Sequence, residues 1–390
     1  MRILHLTPYY APAYAFGGVT RAVEGMARAL SRRGHQVAVL TTDALDQTSR
    51  YRGPLESVEA DGVRVLRVRN QFVALRGRFN LSTPRGLREA ADSLLLDSDL
   101  VHAHEFRTIE NLLVLPHAAE LGLPRVLSPH GTLTTATGRG ALKSLWDRLF
   151  SPMLAHSFNA VVALTETESA EAAALWSRLA SNHTTTFAVV PNGINPAEFA
   201  DLSGGSAFRQ RFSLGDAPVV LFMGRLHARK GVDVLVRAFQ QANAPGARLV
   251  IAGPDEGMLT ALRPLLDDRI VVTGYLDGAD RLAALAAADL FALPATGEGL
   301  SMAALEALGA GLPVILSPGC NLPEAESAGA GLIVEPQVTP LADALARLLS
   351  DPAARTSMGA AARRLIGERF SWDAAAARLE AVYADLLPRA

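Results

Sequence analysis

Only one cysteine, Cys320, occurs in the chain, so no intrachain disulfide can form and a reducing compartment is the simpler expectation. Long apolar runs are missing too: no window reaches the ~18 consecutive residues of a membrane-spanning helix. The opening MRILHLTPYY enters a strand pattern directly, without a basic leader ahead of an apolar stretch. Together these absences predict a soluble, cytoplasmic protein. Charge of one sign is scarce, since 37 Lys and Arg against 39 Asp and Glu leave a formal −2 and offer little to a nucleic-acid backbone. Low-complexity tracts and short-period repeats are absent, as is the GxGxxG fingerprint of dinucleotide-binding enzymes.

What the chain does have is alternation. ILHLT, a helical run from Val19 to Arg33 closed by Gly34, QVAVLTT, DLVHAH, RVLSPH and AVVALT succeed one another, the rhythm of a parallel sheet with crossover helices. After a softer Asn-, Gly- and Pro-rich stretch, Pro191 to Pro218, the rhythm restarts with VVLFMG, RLVIAG, RIVVTG, DLFALP, PVILS and GLIV. At 390 residues the chain exceeds what one hydrophobic core usually serves. The expected fold class is therefore α/β, with one domain over 1–195, a second over 196–370, and a cleft where they meet. The final segment, SWDAAAARLEAVYADLL, reads as a helix begun by a serine cap, and 371–390 is expected to pack back on the first domain. Residues 1–195 carry a charge of +3 and residues 196–390 a charge of −5.

The block GEGLSMAALEALGAGLPVILSP places Glu298 in a loop and Glu306 in the helix that follows. Upstream, Ala288 to Pro294 looks like a buried strand, so the glutamates flank a strand-to-helix turn. At the carboxyl edge of a parallel sheet, such a turn aims free backbone N–H groups, here of Ser301, Met302 and Ala303, at an anionic ligand. A second turn, VVLFMGRLHARKGVDVLVRAF, gathers Arg225, Arg229 and Lys230 before Gly231 and a helix. These cations suit a diphosphate and would stabilise it as a leaving group; a solvated basic loop is the plainer alternative.

In the first domain, Gly17 and Gly18 lie between the first strand and its helix, where backbone can approach a phosphate or sugar. A nicotinamide reading would use Asp43 after the second strand, but lacks the glycine fingerprint. His130, just past a strand end and followed by Gly131 and Thr132, either faces the cleft toward a sugar hydroxyl or is an interior histidine. His102 and His104 point the same way along a strand, as metal ligands do, yet spacing provides no third ligand. The nine arginines from Arg50 to Arg88, with Arg76, Arg78 and Arg85 near the end, read as solvated surface. In GRGALKSLWDRLFSPMLAHSF, Arg139, Lys143 and Arg148 combine with Leu142, Leu145, Trp146, Leu149 and Phe150. Core packing is the expectation there, and a lipid surface the alternative.

These stretches together resemble the retaining glycosyltransferases of family four. The matching motifs are FGG at Phe16 to Gly18, HGT at His130 to Thr132, PNGI at Pro191 to Ile194, GRLHARKG at Gly224 to Gly231, IAGPDEG at Ile251 to Gly257, and EGLSMAALEALGAGLPVI at Glu298 to Ile315. The resemblance spans nearly the whole chain, and the last motif is its most specific part. It implies a GT-B fold of two facing Rossmann-like domains, the first for acceptor and the second for donor.

By the resemblance, Arg225 and Lys230 would bind the donor diphosphate, Glu306 the ribose hydroxyls, and Glu298 the donor sugar. His130 would meet the sugar near its reacting face, which makes His130, Glu298, Lys230 and Arg225 the catalytic candidates. The main chain of Gly17 and Gly18 and of Ser301, Met302 and Ala303 would complete the phosphate cradle, with Tyr275 and Leu276 beside the nucleobase. Leu300 and Ser301 stand where the family often has an aromatic residue and glycine, which leaves the donor sugar open. The implied reaction moves a sugar from a UDP- or GDP-sugar to a glycan or lipid-linked acceptor in polysaccharide or glycoconjugate assembly. It retains configuration and needs no metal or cofactor; no Asp-x-Asp stands near the acidic motif. Peripheral contact with the inner face of a membrane through the first domain is a further expectation. The rivals are a nucleotide-sugar epimerase of the same fold, an NAD-dependent oxidoreductase and a non-catalytic nucleotide-sugar binding module.

Overall fold

The computed structural model describes residues 1–72, 74–76, 81–133, 140–181 and 184–387, the side chains of residues 140–142 excepted. Arg78, Arg139 and the Leu142 side chain lie outside the described residues, as does the very end of the C-terminal segment, 388–390. The chain divides into two compact units, Met1–Gly193 with Trp372–Ala390, and Ile194–Ser371.

In the first unit the strands are β1 Arg2–Leu6, β2 Gln36–Thr42, β3 Glu56–Val58, β4 Arg64–Asn70, β5 Pro84–Arg85, β6 Leu100–His104, β7 Arg125–Ser128, β8 Ala160–Ala163 and β9 Thr186–Val189. They form one sheet in the order β3-β4-β2-β1-β6-β7-β8-β9, with β5 beside β4. The path from β4 to β9 is parallel, while β3 and β5 run antiparallel to β4. Strands buried on both faces explain the near-continuous apolar runs: Leu4, Leu6, Val101, Ala103, Leu127 and Val161 share one core. Strand order reverses between β1 and β6, and a parallel sheet opens a ligand crevice beyond its carboxyl ends at such a reversal.

The C-terminal helix, Trp372–Leu386, belongs to this unit and packs on the helix Gly18–Arg32. A side chain at Gly25 would collide with the Trp372 indole, so the contact requires a bare backbone there. Arg33 and His35 reach Glu380, midway along this helix, at 2.7 and 2.8 Å.

The second unit holds β10 Val219–Met223, β11 Arg248–Ala252, β12 Ile270–Gly274, β13 Leu290–Leu293, β14 Val314–Leu316 and β15 Gly331–Ile333. All are parallel, in the order β12-β11-β10-β13-β14-β15. This is the doubly wound order 3-2-1-4-5-6, with its reversal between β10 and β13. The soft stretch from Pro191 to Pro218 is partly ordered, with a short turn of helix at Pro196–Phe199 and a helix at Gly205–Arg211 that bury Phe199 and Phe208.

Two expectations about the first unit's surface need correction. Within the arginine-rich stretch Arg67 and Arg76 are buried: Arg67 donates to the Ala11 carbonyl at 2.7 Å and Arg76 to that of Ser49 at 2.9 Å. Their aliphatic stems pack while the guanidinium heads serve backbone acceptors, something charge counting cannot foresee. Conversely, the helix Gly140–Leu149 leaves Leu145 and Leu149 outside any core. Leu145, Leu149, Phe150 and Met153 are all exposed, and Trp146 is half-buried against Phe150. Among the described residues no helix is long and apolar enough to cross a membrane.

Candidate active site

In the second unit the charged candidates collect at the reversal point. Arg225 and Lys230 follow β10, and Glu298 follows β13, its neighbour in the sheet. The β10 loop ends in a short turn, Ala228–Lys230, stabilised by the His227 ring, whose Nδ1 accepts from the Arg229 amide at 3.2 Å. Gly231 then takes φ 65°, and a side chain on it would strike the Pro294 carbonyl at the end of β13. Only glycine brings the two loops this close.

That proximity places Lys230 Nζ 2.7 Å from Glu298 Oε2, with both side chains largely sheltered from solvent. The Glu298 backbone is fixed as well: its amide donates to Gly319 and its carbonyl accepts from Asn321 Nδ2 at 2.6 Å. Arg225 pairs with Glu256 at 3.0 Å. The helix Met302–Gly309 starts at the same edge with Ser301 as its cap. The Ser301 hydroxyl accepts from the Ala304 amide, so that side chain is turned to its own helix, while Leu300 is buried. The first-turn amides of Met302 and Ala303 remain a positive pole for an anion.

Glu306 lies one turn into that helix, 92% buried, and its Oε2 is 2.7 Å from Arg281 Nη1. Arg281 also pairs with Glu198. The sequence had not singled out this cation: GADRLAALAA reads as an ordinary amphipathic helix, and only the folded chain turns Arg281 inward. Tyr275, half exposed, and Leu276, buried, follow β12 at the same carboxyl edge.

In the first unit the candidates follow β1, β6 and β7. Gly17, at φ 108°, precedes the helix Gly18–Arg32 after β1. Asp43, the acid a nicotinamide reading would need, is buried, paired with Arg50 at 3.0 Å and accepting from the Asn70 amide at 2.8 Å. Its carboxylate is occupied by protein, which counts against a ribose there.

His130 sits two residues beyond β7 in a left-handed conformation, φ 55°, and is half-buried. The Gly131 amide after it donates to Glu168, whose other oxygen accepts from Leu164 at 2.7 Å. Glu168 escaped notice in the sequence because TETESAEAAAL reads as a plain helix start.

His130 is joined to a buried histidine group. His104 Nδ1 lies 2.9 Å from His130 Nε2, and His104 Nε2 lies 2.9 Å from His5 Nδ1. His102 instead meets Tyr383 Oη at 2.6 Å and Ser128 Oγ at 2.8 Å. The expectation that no third residue joins His102 and His104 is thus corrected: His5, paired with His102 in the β1–β6 register, brings a ligand atom within 4.8 Å of theirs. The missing neighbour lay on another strand, beyond the reach of local spacing. Both nitrogens of His102 and of His104 are nevertheless engaged in hydrogen bonds, so a cation would have to displace them. Burial pushes His5 down to about 3 and His130 to about 4, and drives His102 and His104 well below the usual range.

Glu105 directly follows β6 at φ 64°, a conformation rare outside glycine. Burial, with the Glu110 carboxylate adding to it, pushes its carboxyl up to about 7.

Residues 16–198 match the family model Glycosyltransferase Family 4, and residues 206–365 match Glycosyl transferases group 1. A D-inositol 3-phosphate glycosyltransferase of Kineococcus radiotolerans is 31% identical over 421 residues, covering 97% of this chain and 93% of its own. The chain belongs to this glycosyltransferase family. A second relative of the glycosyltransferase, the GDP-mannose-dependent monoacylated alpha-(1-6)-phosphatidylinositol monomannoside mannosyltransferase of Corynebacterium glutamicum, is 36% identical over 209 residues. That match spans about half of each protein, 50% of this chain and 55% of the relative. In fold, the glycosyltransferase is similar to Anabaena HepE, solved with UDP and glucose, at a TM-score of 0.77 and 20% identity, over 99% of this chain and all of that one. The fold class is accordingly GT-B, α/β with two Rossmann-like parallel sheets.

Proposed function

We propose that the protein transfers a hexosyl group from a nucleoside-diphosphate sugar to a glycan or lipid-linked acceptor, with retention of anomeric configuration and without a metal or cofactor. One observation carries the reading: Arg225, Lys230, Glu298 and the start of the helix Met302–Gly309 converge where strand order reverses in the second unit. Two cations and a helix N-terminus suit a diphosphate, and they stabilise best the charge that grows on it as the bond to the sugar breaks. The acceptor oxygen forms the new bond to the anomeric carbon, the bond to the phosphate oxygen breaks, and the acceptor proton passes to the departing phosphate. Glu306 binds the ribose, Glu298 orients sugar hydroxyls, and Tyr275 and Leu276 flank the base. A guanosine or uridine donor is favoured by the relatives, one GDP-mannose-dependent and one solved with UDP.

The acceptor belongs to the first unit. Exposed Leu145, Leu149, Phe150 and Met153 beside Lys143 and Arg148 support contact with an anionic membrane surface there, and so a cytoplasmic enzyme that visits the membrane. Flotation with anionic vesicles, weakened by Leu145→Ser with Leu149→Ser, tests that part.

The primary test is thermal stabilisation by UDP-, GDP- and ADP-sugars. A ligand of the folded state at 100 times its Kd contributes about 2.7 kcal/mol, an easily read rise in midpoint. One nucleotide class is expected to stabilise the protein, equally in the presence of EDTA; no shift with any donor at millimolar concentration sinks the reading.

A further inference from the structure

A cleft of about 1080 Å³ opens in the first unit where Asp43 follows β2 and Asn70 ends β4, its parallel neighbour. Four arginines line it: Arg50 and Arg52 from the loop after β2, Arg69 near the end of β4, and Arg85 on β5. The volume is that of a site for a small organic ligand rather than for a single ion.

Among the described residues one carboxylate lines the cleft, and it is already satisfied. Asp43 accepts from Arg50 at 3.0 Å and from the Asn70 amide at 2.8 Å. Arg52, Arg69 and Arg85 form no ion pair among the described residues. The neighbouring sequence offers none either, since Gly62 to Arg88 contains seven arginines and neither Asp nor Glu. Asn70, fully buried, also keeps its Nδ2 without an acceptor among the described residues, so the wall carries donors in excess of acceptors.

Arg69 and Arg85 are register partners across the antiparallel β4–β5 pair, which sends both side chains to the same face of the ribbon. Like charges directly opposite one another destabilise a strand pair. Solvation alone leaves that repulsion in place, whereas a multiply charged anion between the two guanidinium groups converts it into attraction.

The size of the excess selects the anion. A carboxylate brings one charge and two oxygens to three unmatched guanidinium groups; a phosphate monoester brings about two charges and three acceptor oxygens. Beside the cations, Phe72 and Leu55 are 59% and 41% exposed, apolar surface that a sugar ring would cover and a bare ion would not.

We propose that this cleft binds a phosphoryl group carried on a sugar of the acceptor. That the sugar belongs to the acceptor rests on the glycosyl transfer proposed above; the binding of a sugar phosphate does not. In the sheet β4 stands four strand spacings from β7, the strand that precedes His130, or about 19 Å between strand axes. At that remove the phosphoryl group anchors the acceptor and takes no part in the making of the bond.

The test is titration calorimetry of the full chain with glucose 6-phosphate, set against glucose, glucuronate and inorganic phosphate at physiological ionic strength. Glucose 6-phosphate should bind tighter than the other three by about ten-fold or more. Glucuronate binding as tightly would make the cleft a carboxylate site, and inorganic phosphate binding as tightly would make it a site for a free anion; either overturns the proposal. Arg69→Gln with Arg85→Gln should weaken glucose 6-phosphate by about ten-fold or more. With the opposed charges gone, that variant should unfold no lower than wild type when no ligand is present. Should it fail to fold, Arg52→Gln, in an exposed loop, should weaken the same binding. Glucose 6-phosphate affinity unchanged in these variants overturns the proposal, as does a defect confined to flotation with anionic vesicles, which points to a lipid surface instead. Nucleotide sugar is absent from the titration, and its own stabilisation of the double variant should equal that of wild type. A protein that binds glucose 6-phosphate in this way but no nucleotide sugar therefore loses the transfer reading and keeps the phosphoryl site.

Discussion

Lys230 and Glu298 are held as a sheltered ion pair, 2.7 Å apart, by two loops that follow neighbouring strands. On the proposed function, a diphosphate entering this edge would compete with Glu298 for the ammonium, and the exchange would leave Glu298 available for sugar hydroxyls. Lys230→Ala removes charge stabilisation that grows in the transition state, so kcat should fall on the order of 10²-fold. KM for the donor should change far less. Initial rates against donor concentration check this; an unaltered kcat would take Lys230 out of the reaction.

The Arg281–Glu306 pair separates structure from function. Each side chain is only 8% exposed, so Arg281→Ala removes a buried cation from beside the Glu306 carboxylate, and breaking such a pair costs about 3–5 kcal/mol. Replacing both partners, Arg281→Met with Glu306→Leu, should recover most of that loss, because an apolar pair of similar volume carries no unpaired charge. The same double variant should fail to be stabilised by the nucleotide sugar. Retention of the full ligand-induced shift in the double variant would remove Glu306 from the ribose site.

How much of this was legible in the sequence depends on whether a feature is local. Runs such as VVLFM and LFAL are apolar throughout because parallel strands are covered on both faces, and Arg225, Lys230 and Glu298 follow such runs directly, so their placement at one edge could be read. Arg281 could not, since its inward turn depends on Glu306 arriving from a different helix. His5 is hidden in ILHLT for the same reason: its meaning comes from the β1–β6 register, which no local pattern records. The exposure of Leu145 and Leu149 was misjudged because a helical period marks an apolar face without saying what covers it.

Tyr383 tests the docking of the C-terminal helix. Its hydroxyl, fully buried, meets His102 Nδ1 at 2.6 Å, 281 residues away in sequence. Tyr383→Phe keeps the ring and leaves a ring nitrogen unmatched in the core, which costs about 1–3 kcal/mol. Urea unfolding followed by circular dichroism should show a lower midpoint with an unchanged slope. A midpoint equal to wild type would mean the Tyr383 hydroxyl contributes nothing to docking and the helix is held by its other contacts, Trp372, Leu379 and Glu380 among them.

Stability should be strongly pH-dependent, with opposing contributions from two sets of groups. His5 and His130 are pushed down to about 3 and about 4, while the unfolded chain titrates near the ordinary value of 6.5. A depressed pKa gives stability that is present above pH 6.5 and lost as pH falls toward 4, at up to about 1.4 kcal/mol per pH unit for each ring. His102 and His104 act in the same direction. Glu105 and Glu110 are raised to about 7 by burial, so their contribution is complete below pH 4.5 and is lost as pH rises through 7. Four rings outweigh two carboxyls between pH 6.5 and 4.5, and Tm should therefore fall on acidification across that window. Glu105→Gln with Glu110→Gln removes the opposing groups and should steepen the fall. A Tm that is flat from pH 6.5 to 4.5 in both proteins would mean the histidine group is hydrated rather than buried.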